Sequence, residues 1–513
     1  AIGTDDGLIQ LTKNGGESWS KIDNIPGVPN QSYTNSIYLS KHDVDIMYVA
    51  FNHHKYGDFK PYIYKSIDQG KTWESISNNL PERGSVYSIE EDHINKDLIF
   101  CGTEFGVYFS PSAGERWKAL DNGLPTIAVR DIAIQEREND LILGTFGRGF
   151  YVLDDYSSLR SVEDYFYTDN SNIFPIRGAL MWEKSMPLGL PGKAFQGDNF
   201  YSATNLGPVA IITYYHNEDY TSLKSKRQET EKALIKNNEN INYPSYDELF
   251  QEINEFKTKL VFTIKNSDGL VVKKVFRTPK KGIQRFEWDL RYEEKVPVSF
   301  NNSSFYNPFA GVSEGTLVNP GTYTVDMDLF DGLNSTKIVE TLDFTIIPLD
   351  NSIMPAINRE EKVAFQRSVS KLEGKMLEGG KMLDQANNKI KYFIEAVKIV
   401  EAPLGELSVL IKSVETKIKD INIRFYGNSI KSKLDIEQVP TAYSRLMSIL
   451  YEQKYSTSAP TNTHIESFII ADDEFKPIYK EIKNLLKVDI KEIEDKLKII
   501  DAPYTPGRLK PKN

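Results

Sequence analysis

The sequence predicts a multidomain chain that is mainly β and then α. It should contain a partial Asp-box β-propeller, an immunoglobulin- or fibronectin-like β-sandwich and a C-terminal helical bundle. Three observations predict this: a turn with glycine and tryptophan recurs within residues 1–160, short alternating strands return in 201–350, and apolar residues recur at helical spacing from about residue 355. A chain of 513 residues is long enough for several cores, because single cores stop growing at roughly 250–300 residues.

One turn motif recurs three times near the start of the chain. Its copies begin at Thr12, Ser66 and Ser110, 54 and 44 residues apart, close to the roughly 40–50 residues of a four-stranded blade. The copy at 66–73 fits the Asp-box pattern Ser/Thr-x-Asp/Asn-x-Gly-x-Thr/Ser-Trp throughout, whereas Ser112 replaces the acid in the third, whose turn should be bonded less tightly. We expect the following residues to hold blades together: Asn14, Gly16, Trp19, Asp68, Gly70, Trp73, Gly114 and Trp117.

The loops at the opposite end of the predicted blades are where we expect a ligand. An Asp box joins the third strand of a blade to the fourth, and successive connections of a meander alternate between its two ends. The Gly-Thr loops, which join the second strand to the third, should therefore emerge away from the boxes. Among their residues Arg148 is the main candidate, because its flanking glycines let a cation project from a tight turn. The further ligand-binding candidates on these loops are Glu104, Phe105 and Phe146.

The second blade carries a longer loop with two histidines and a tyrosine, which adds His53, His54 and Tyr56 to the ligand-binding candidates. Adjacent histidines on an extended strand point to opposite sides, and no further ligand follows at a suitable spacing. The sequence therefore predicts no metal site, and it predicts no cofactor.

The rest of the chain changes period twice. We divide it as follows: 1–160, the C-terminal blades of the propeller; 161–200, a connector; 201–350, the sandwich with a charged helical insertion at 221–257; 351–513, an antiparallel helical bundle and C-terminal tail. Helices of the bundle, after a long first one, are predicted near 404–424, 440–454 and 472–499, with Pro440, Pro460 and Pro477 near their starts.

Composition limits the partners and the compartment. The net charge of -10 argues against nucleic acid as a partner, and no stretch of about 18 apolar residues predicts a membrane span. The single cysteine, Cys101, lies in an apolar run and is expected to be buried. Because residue 1 falls inside a repeat and no export signal is present, we expect further blades and the signal to lie upstream, outside this sequence.

Several phrases resemble the bacterial sortilin-like proteins of the vacuolar-sorting-receptor type, whose Asp-box (BNR) propellers are often labelled glycosyl hydrolases. These are the Asp boxes, the run from Gly147 to Asp155, the strand Trp288-Asp289-Leu290-Arg291 and the ending from Ala502 to Arg508. The resemblance implies a protein that is secreted, periplasmic or on the outer cell surface of a bacterium. A single cysteine departs from the disulfide-rich module of the eukaryotic receptors, so cargo sorting is not implied.

Three functions fit this sequence. The preferred one is a non-catalytic module that binds a peptide, a protein or a glycan at the cell envelope. The first alternative is a glycoside hydrolase of the sialidase- or xyloglucanase-like Asp-box type, which needs two carboxylates beside a cleft; its candidate acids are Asp5, Asp6 and Glu104. The second alternative is a structural subunit of a cell-surface complex, with other envelope proteins as partners.

Overall fold

The computed structural model describes residues 1–162, 171–182, 203, 205–299, 314–350, 354–453 and 456–508. Its first part consists of short antiparallel sheets, because brief apolar strands alternate with glycine- and asparagine-containing turns. Four sheets of three, four, four and three strands follow one another. Their strands are β1 Ile2–Gly3, β2 Ile9–Leu11, β3 Ser20–Ile22; β4 Tyr33–Leu39, β5 Met47–His53, β6 Asp58–Ser66, β7 Glu74–Ser75; β8 Val86–Glu91, β9 Ile99–Thr103, β10 Gly106–Ser110, β11 Lys118–Ala119; and β12 Val129–Gln135, β13 Asp140–Thr145, β14 Phe150–Leu153.

Neighbouring sheets pack face to face, as propeller blades do. The first strands of successive sheets contact one another, β4 with β8 and β8 with β12. Each pair of neighbouring sheets also shares an apolar core of its own, such as the one in which Ile63 of β6 meets Ile89 of β8 and Trp117. The chain thus contains blade-like sheets in sequence, and its described residues do not form a closed propeller.

The second Asp box joins β6 to β7, third strand to fourth. Asp68 accepts backbone N–H groups of Thr72 at 2.8 Å and Lys71 at 3.0 Å, together with the Thr72 hydroxyl at 2.7 Å. The Ser66 hydroxyl accepts the N–H of Gly70, whose φ is +80°. The bonds from Thr72 stabilise the carboxylate and lower the pKa of Asp68 to about 2.

The other two boxes are bonded more sparsely. In the first, Asn14 accepts the Ser18 N–H at 2.9 Å. In the third, Ser112 accepts one backbone N–H at 3.2 Å, that of Arg116, and a hydroxyl lacks the second oxygen with which a carboxylate fastens the turn. The positive φ of Gly16 (+100°) and Gly114 (+96°) keeps the same backbone path in both.

Two of the box tryptophans, Trp73 and Trp117, pack against the preceding sheet. Trp117 is 3% exposed and donates its indole N–H to the carbonyl of Ile76 at 2.7 Å. Trp73 packs at the edge of the core between the first two sheets. Trp19 belongs to the first sheet and is 45% exposed, because the described residues hold no earlier sheet for it to pack on.

Two further sheets share one core after the blades. A three-stranded sheet takes β15 Asn172–Ile173, β17 Ala210–His216 and β20 Gly282–Trp288, and a five-stranded sheet takes β16 Ala179–Met181, β18 Lys259–Asn266, β19 Val271–Arg277, β21 Gly321–Phe330 and β22 Ser335–Pro348. All pairs are antiparallel except β16 with β22. Residues 171–182 fall in the segment predicted as a connector, yet they contribute an edge strand to each sheet. The helices α1 Leu223–Lys236 and α2 Tyr246–Ile253 lie between β17 and β18.

The two-sheet unit is attached to the last blade-like sheet. Arg285 of β20 donates to the backbone carbonyls of Asp154 and Asp155, at 2.6 Å each, and to the Thr213 hydroxyl at 3.1 Å. Tyr215 of β17 also joins the core between the third and fourth blade-like sheets. Polar and apolar contacts therefore both fix this joint.

The last part is helical, and its apolar residues share one core. One expectation is wrong: Pro477 does not start a helix but lies inside one. The apolar residues Ala471, Phe475, Ile478 and Ile482 continue on both sides of it, and their burial outweighs the hydrogen bond that proline removes. No helix in the described ranges is both long and apolar enough to cross a bilayer. The helices are α3 Arg359–Lys398, α4 Leu407–Tyr426, α5 Ser429–Lys433, α6 Ala442–Gln453, α7 Asn462–Asn484 and α8 Ile490–Ile499, with a π turn between the last two.

Candidate functional site

A β-bulge recurs near the start of the first strand in three successive sheets. In each, two residues of the first strand stand opposite one residue of the second, which leaves Asn35, Tyr87 and Arg130 outside the ladder. These bulges lie at the end of the sheets where the second strand turns into the third, opposite the Asp boxes. The repeat thus places one variable side chain per sheet at that end.

Two of these bulge residues meet side chains from the Gly-Thr loops. The Arg130 guanidinium lies 3.7 Å from the centre of the Tyr87 ring and 5.3 Å from that of Phe146. The Tyr87 hydroxyl donates to Glu104, and an Arg130 nitrogen lies 3.9 Å from the same carboxylate. We call Tyr87, Glu104, Arg130 and Phe146 the bulge cluster. It joins the third and fourth sheets.

The bulge cluster is open to solvent. The side chains of Arg130 and Glu104 are 43% and 38% exposed, and Phe146 is 70% exposed. Burial of the Tyr87 hydroxyl and the neighbouring Glu104 carboxylate raise the pKa of Tyr87 to about 12. The hydroxyl therefore remains a neutral donor at physiological pH. The cluster therefore presents a cation, a carboxylate and two aromatic rings side by side.

The third bulge residue, Asn35, extends the same end toward the second sheet. Its side chain donates to the carbonyl of Val86 at 2.5 Å and accepts from Asn52 at 2.5 Å. The predicted loop candidates lie nearby: His53 is 3.1 Å from the Ser32 hydroxyl and stacks on Tyr56, with ring centres 4.4 Å apart.

The remaining predicted residues are scattered around the same loops. Arg148 is exposed between Gly147 and Gly149, whose φ angles are +85° and +68°, and it forms no ion pair with any residue that the structure describes. Phe105 is 53% exposed at the turn beside Glu104. The histidine at 54 begins a short 3₁₀ turn and faces solvent. Among the described residues, no group of three or more metal-ligating side chains is placed to hold an ion.

The candidate acids differ in environment. Asp6 accepts the Thr4 hydroxyl within its own turn, which lowers its pKa, and Asp5 is exposed on that turn. A residue not singled out from the sequence, Glu90, behaves differently: burial raises its pKa to about 7. Its carboxylate lies 3.4 Å from the Tyr38 hydroxyl and 3.7 Å from the Lys41 ammonium.

Sequence reasoning named Glu104 and Phe146 but missed Tyr87 and Arg130. A signal was present, because the three first strands repeat a short phrase, Thr34-Asn35-Ser36-Ile37, Val86-Tyr87-Ser88-Ile89 and Val129-Arg130-Asp131-Ile132. Its second position is the bulge residue each time. The isoleucine is the same in all three phrases, which is typical of a packing role. The second residue differs each time, which is typical of an exposed position.

No protein-family model matches the chain, and no curated protein matches it. Solved structures that resemble it include YCF48 bound to D1 peptide (14% identity, TM-score 0.24, 30% of this chain and 46% of that one). Others are the extracellular domain of a hybrid two-component system from B. thetaiotaomicron (10%, 0.23, 68% and 37%) and a GH74 xyloglucanase from Xanthomonas campestris (11%, 0.21, 65% and 40%). The chain thus spans less than half of each, and similarity this weak carries no argument about function.

Proposed function

We propose that the protein is an exported, non-catalytic binding module that holds a peptide, a protein segment or a glycan on the loop end of its blade-like sheets. The bulge cluster is the observation that carries the proposal. Its residues come from two sheets, Tyr87 and Arg130 from strand bulges and Glu104 and Phe146 from turns, so a ligand lying across the cluster would touch both sheets.

The chemistry of the bulge cluster suits recognition better than bond cleavage. The exposed ring of Phe146 offers an apolar face for an aliphatic side chain or a sugar ring. Arg130 keeps outward-facing donors for carboxylate or hydroxyl groups, since its only acid neighbour within ion-pair distance among the described residues, Glu104, is 3.9 Å away. Phe105 and Arg148 would extend the same surface at its edge.

Binding arrays test this proposal. The chain would be applied to a peptide array and a glycan array, and the best ligand titrated against Arg130→Ala. Losing a charge-assisted contact should weaken binding at least about tenfold. Arg137→Ala is the matched control, because that arginine is 80% exposed and lies in the β12–β13 turn at the Asp-box end. Equal affinity in Arg130→Ala and the wild type would overturn the proposal.

A second candidate function, glycoside hydrolysis, is favoured by Glu90. A general acid must hold its proton near neutral pH. Burial raises the pKa of the Glu90 carboxyl to about 7, and the negative charge of Asp131, on β12 of the neighbouring sheet, contributes to this rise. Lys41 opposes this shift. Aryl-glycosides and xyloglucan are suitable substrates. Turnover that Glu90→Gln abolishes and Glu115→Gln preserves would establish it, since Glu115 is exposed in the third Asp box. An inactive wild type would exclude it for these substrates.

A further inference from the structure

A cavity of about 580 Å³ with a mixed polar and apolar wall lies in the helical region. It is bounded by the segment after α4, by α6 and by α7. Side chains that carry a hydroxyl or an amide dominate its wall, among them Gln438, Ser444, Ser448, Thr463 and Ser467. Gln438 donates to the Asn428 carbonyl and the Ser432 hydroxyl, and Ser444 donates to the Thr441 carbonyl. The donors left for a ligand among the described residues are therefore the hydroxyls of Ser448, Thr463 and Ser467.

One cation faces these donors without a counter-charge. Arg445 of α6 lines the cavity, and its Nε is shielded from solvent yet has no hydrogen-bond partner. No carboxylate among the described residues lies within ion-pair distance of its guanidinium. Arg445 is half-buried, but an N–H that is shielded from water and unpaired is costly even on such a side chain, so this position favours an acceptor that the protein itself does not supply.

The acid at the rim of the cavity is already engaged. Glu452 lies 2.7 Å from Nε2 of His464. The other ring nitrogen of His464 accepts the backbone N–H of Thr461 at 3.2 Å, which places the ring proton on Nε2, pointing at Glu452. Glu452 is therefore bonded to the histidine and not to Arg445.

We propose that this cavity binds a tetrahedral oxyanion, the phosphate or sulfate group of a small molecule. Arg445 provides the charge and a planar pair of donors. Hydroxyls on α6 and α7, at Ser448 and Ser467, face the same space and suit a group with three or four acceptor oxygens. A carboxylate has two oxygens and would leave part of this donor set unused.

Calorimetry of the full chain with sodium phosphate, and separately sodium sulfate, tests the proposal, with sodium chloride at equal ionic strength as the reference. We expect saturable binding of at least one oxyanion and none of chloride. Arg445→Gln should weaken that binding at least about tenfold. Lys412→Gln removes one positive charge from α4 outside the cavity and should leave affinity unchanged.

A second variant keeps the test decisive if Arg445→Gln fails to fold. Ser448→Glu puts a carboxylate three residues from Arg445 on the same helix, where it can pair with the guanidinium and repel an anion. Binding should then disappear while the circular dichroism spectrum is retained. The proposal is overturned by unchanged oxyanion affinity in either folded variant. It is equally overturned if the wild type gives no saturable signal up to about 10 mM, where even a Kd of about 1 mM would be detected.

Discussion

Asp92 is the most completely bonded buried charge in the described blades, and its replacement by asparagine should be severe. The residue is 0% exposed and follows β8. Its carboxylate receives Nε and Nη2 of Arg160 at 2.8 Å each, the Tyr156 hydroxyl at 2.5 Å and the backbone N–H of Asn95 at 2.6 Å. Arg160 and Tyr156 come from the segment after β14, so Asp92 ties the third sheet to the end of the fourth.

The magnitude follows from what Asp92→Asn leaves behind. The variant keeps the shape of the side chain but removes its charge, and Arg160, whose side chain is 15% exposed, then remains partly buried without its counter-ion. Breaking a buried ion pair by neutralising one partner costs about 3–5 kcal/mol. Since Arg160 keeps some access to water and a bond to Asn139, we expect about 3 kcal/mol, the lower end of that range.

Hydrogen exchange measures this loss locally, without assuming that the multidomain chain unfolds in one step. A loss of about 3 kcal/mol corresponds to roughly a hundredfold faster opening of β8 and β9. Arg137→Gln, at an exposed position near the same end, should leave their exchange unchanged. If Asp92→Asn speeds exchange by less than about fivefold, or about 1 kcal/mol, the ion pair does not hold these sheets together.

The same network predicts a pH dependence. Burial alone would raise the pKa of Asp92, but the bonds from Arg160 and Tyr156 outweigh it, and the pKa lies below its usual value. A carboxyl whose folded pKa is lowered stabilises the fold above its unfolded pKa, and that stabilisation disappears as the pH falls through the folded pKa. The stability of β8 and β9 should therefore fall on acidification in the wild type and fall less in Asp92→Asn.

Three further predictions concern packing. Gly102→Ala should destabilise the third sheet by about 1–3 kcal/mol, measured by hydrogen exchange of β9, because a Cβ there would lie 2.6 Å from the carbonyl of Val129. Gly207→Ala should be neutral, because its Cβ would make only an ordinary contact with Val209, at 3.6 Å. Arg285→Met should loosen the joint between blades and two-sheet unit, seen as faster proteolysis between residues 154 and 171; an unchanged cleavage pattern would contradict this. Cys101 is fully buried, which raises its thiol pKa, so it should resist alkylation until the chain unfolds, and rapid labelling of the native protein would refute that.

The sequence predicted local structure best where the backbone conformation of a turn requires a particular residue type. The Asp box could be predicted because Asp68 and Gly70 are needed by one particular turn. Pro477 was misjudged because the preference of proline for the start of a helix competes with an apolar stripe that spans two neighbouring helices. A short stretch of sequence does not show that packing. The extra strands at 172–173 and 179–181 are two and three residues long and leave no alternation to detect.

The bulge cluster shows why a sequence pattern that predicts the strands does not predict the site on them. Period-two alternation assigns each strand residue to one face of the sheet. A bulge interrupts this alternation, because it adds one residue that has no partner in the ladder. Of the glycines opposite the bulges in the third and fourth sheets, Gly102 has no room for a side chain, because a Cβ there would lie 2.6 Å from the Val129 carbonyl, whereas a Cβ at Gly144 would make only ordinary contacts with Asp131. The bulge residue has no such restriction. Substitution at Arg130 should therefore change binding with little loss of stability, whereas substitution at Gly102 should do the reverse, and measuring both quantities on both variants separates the scaffold from the site.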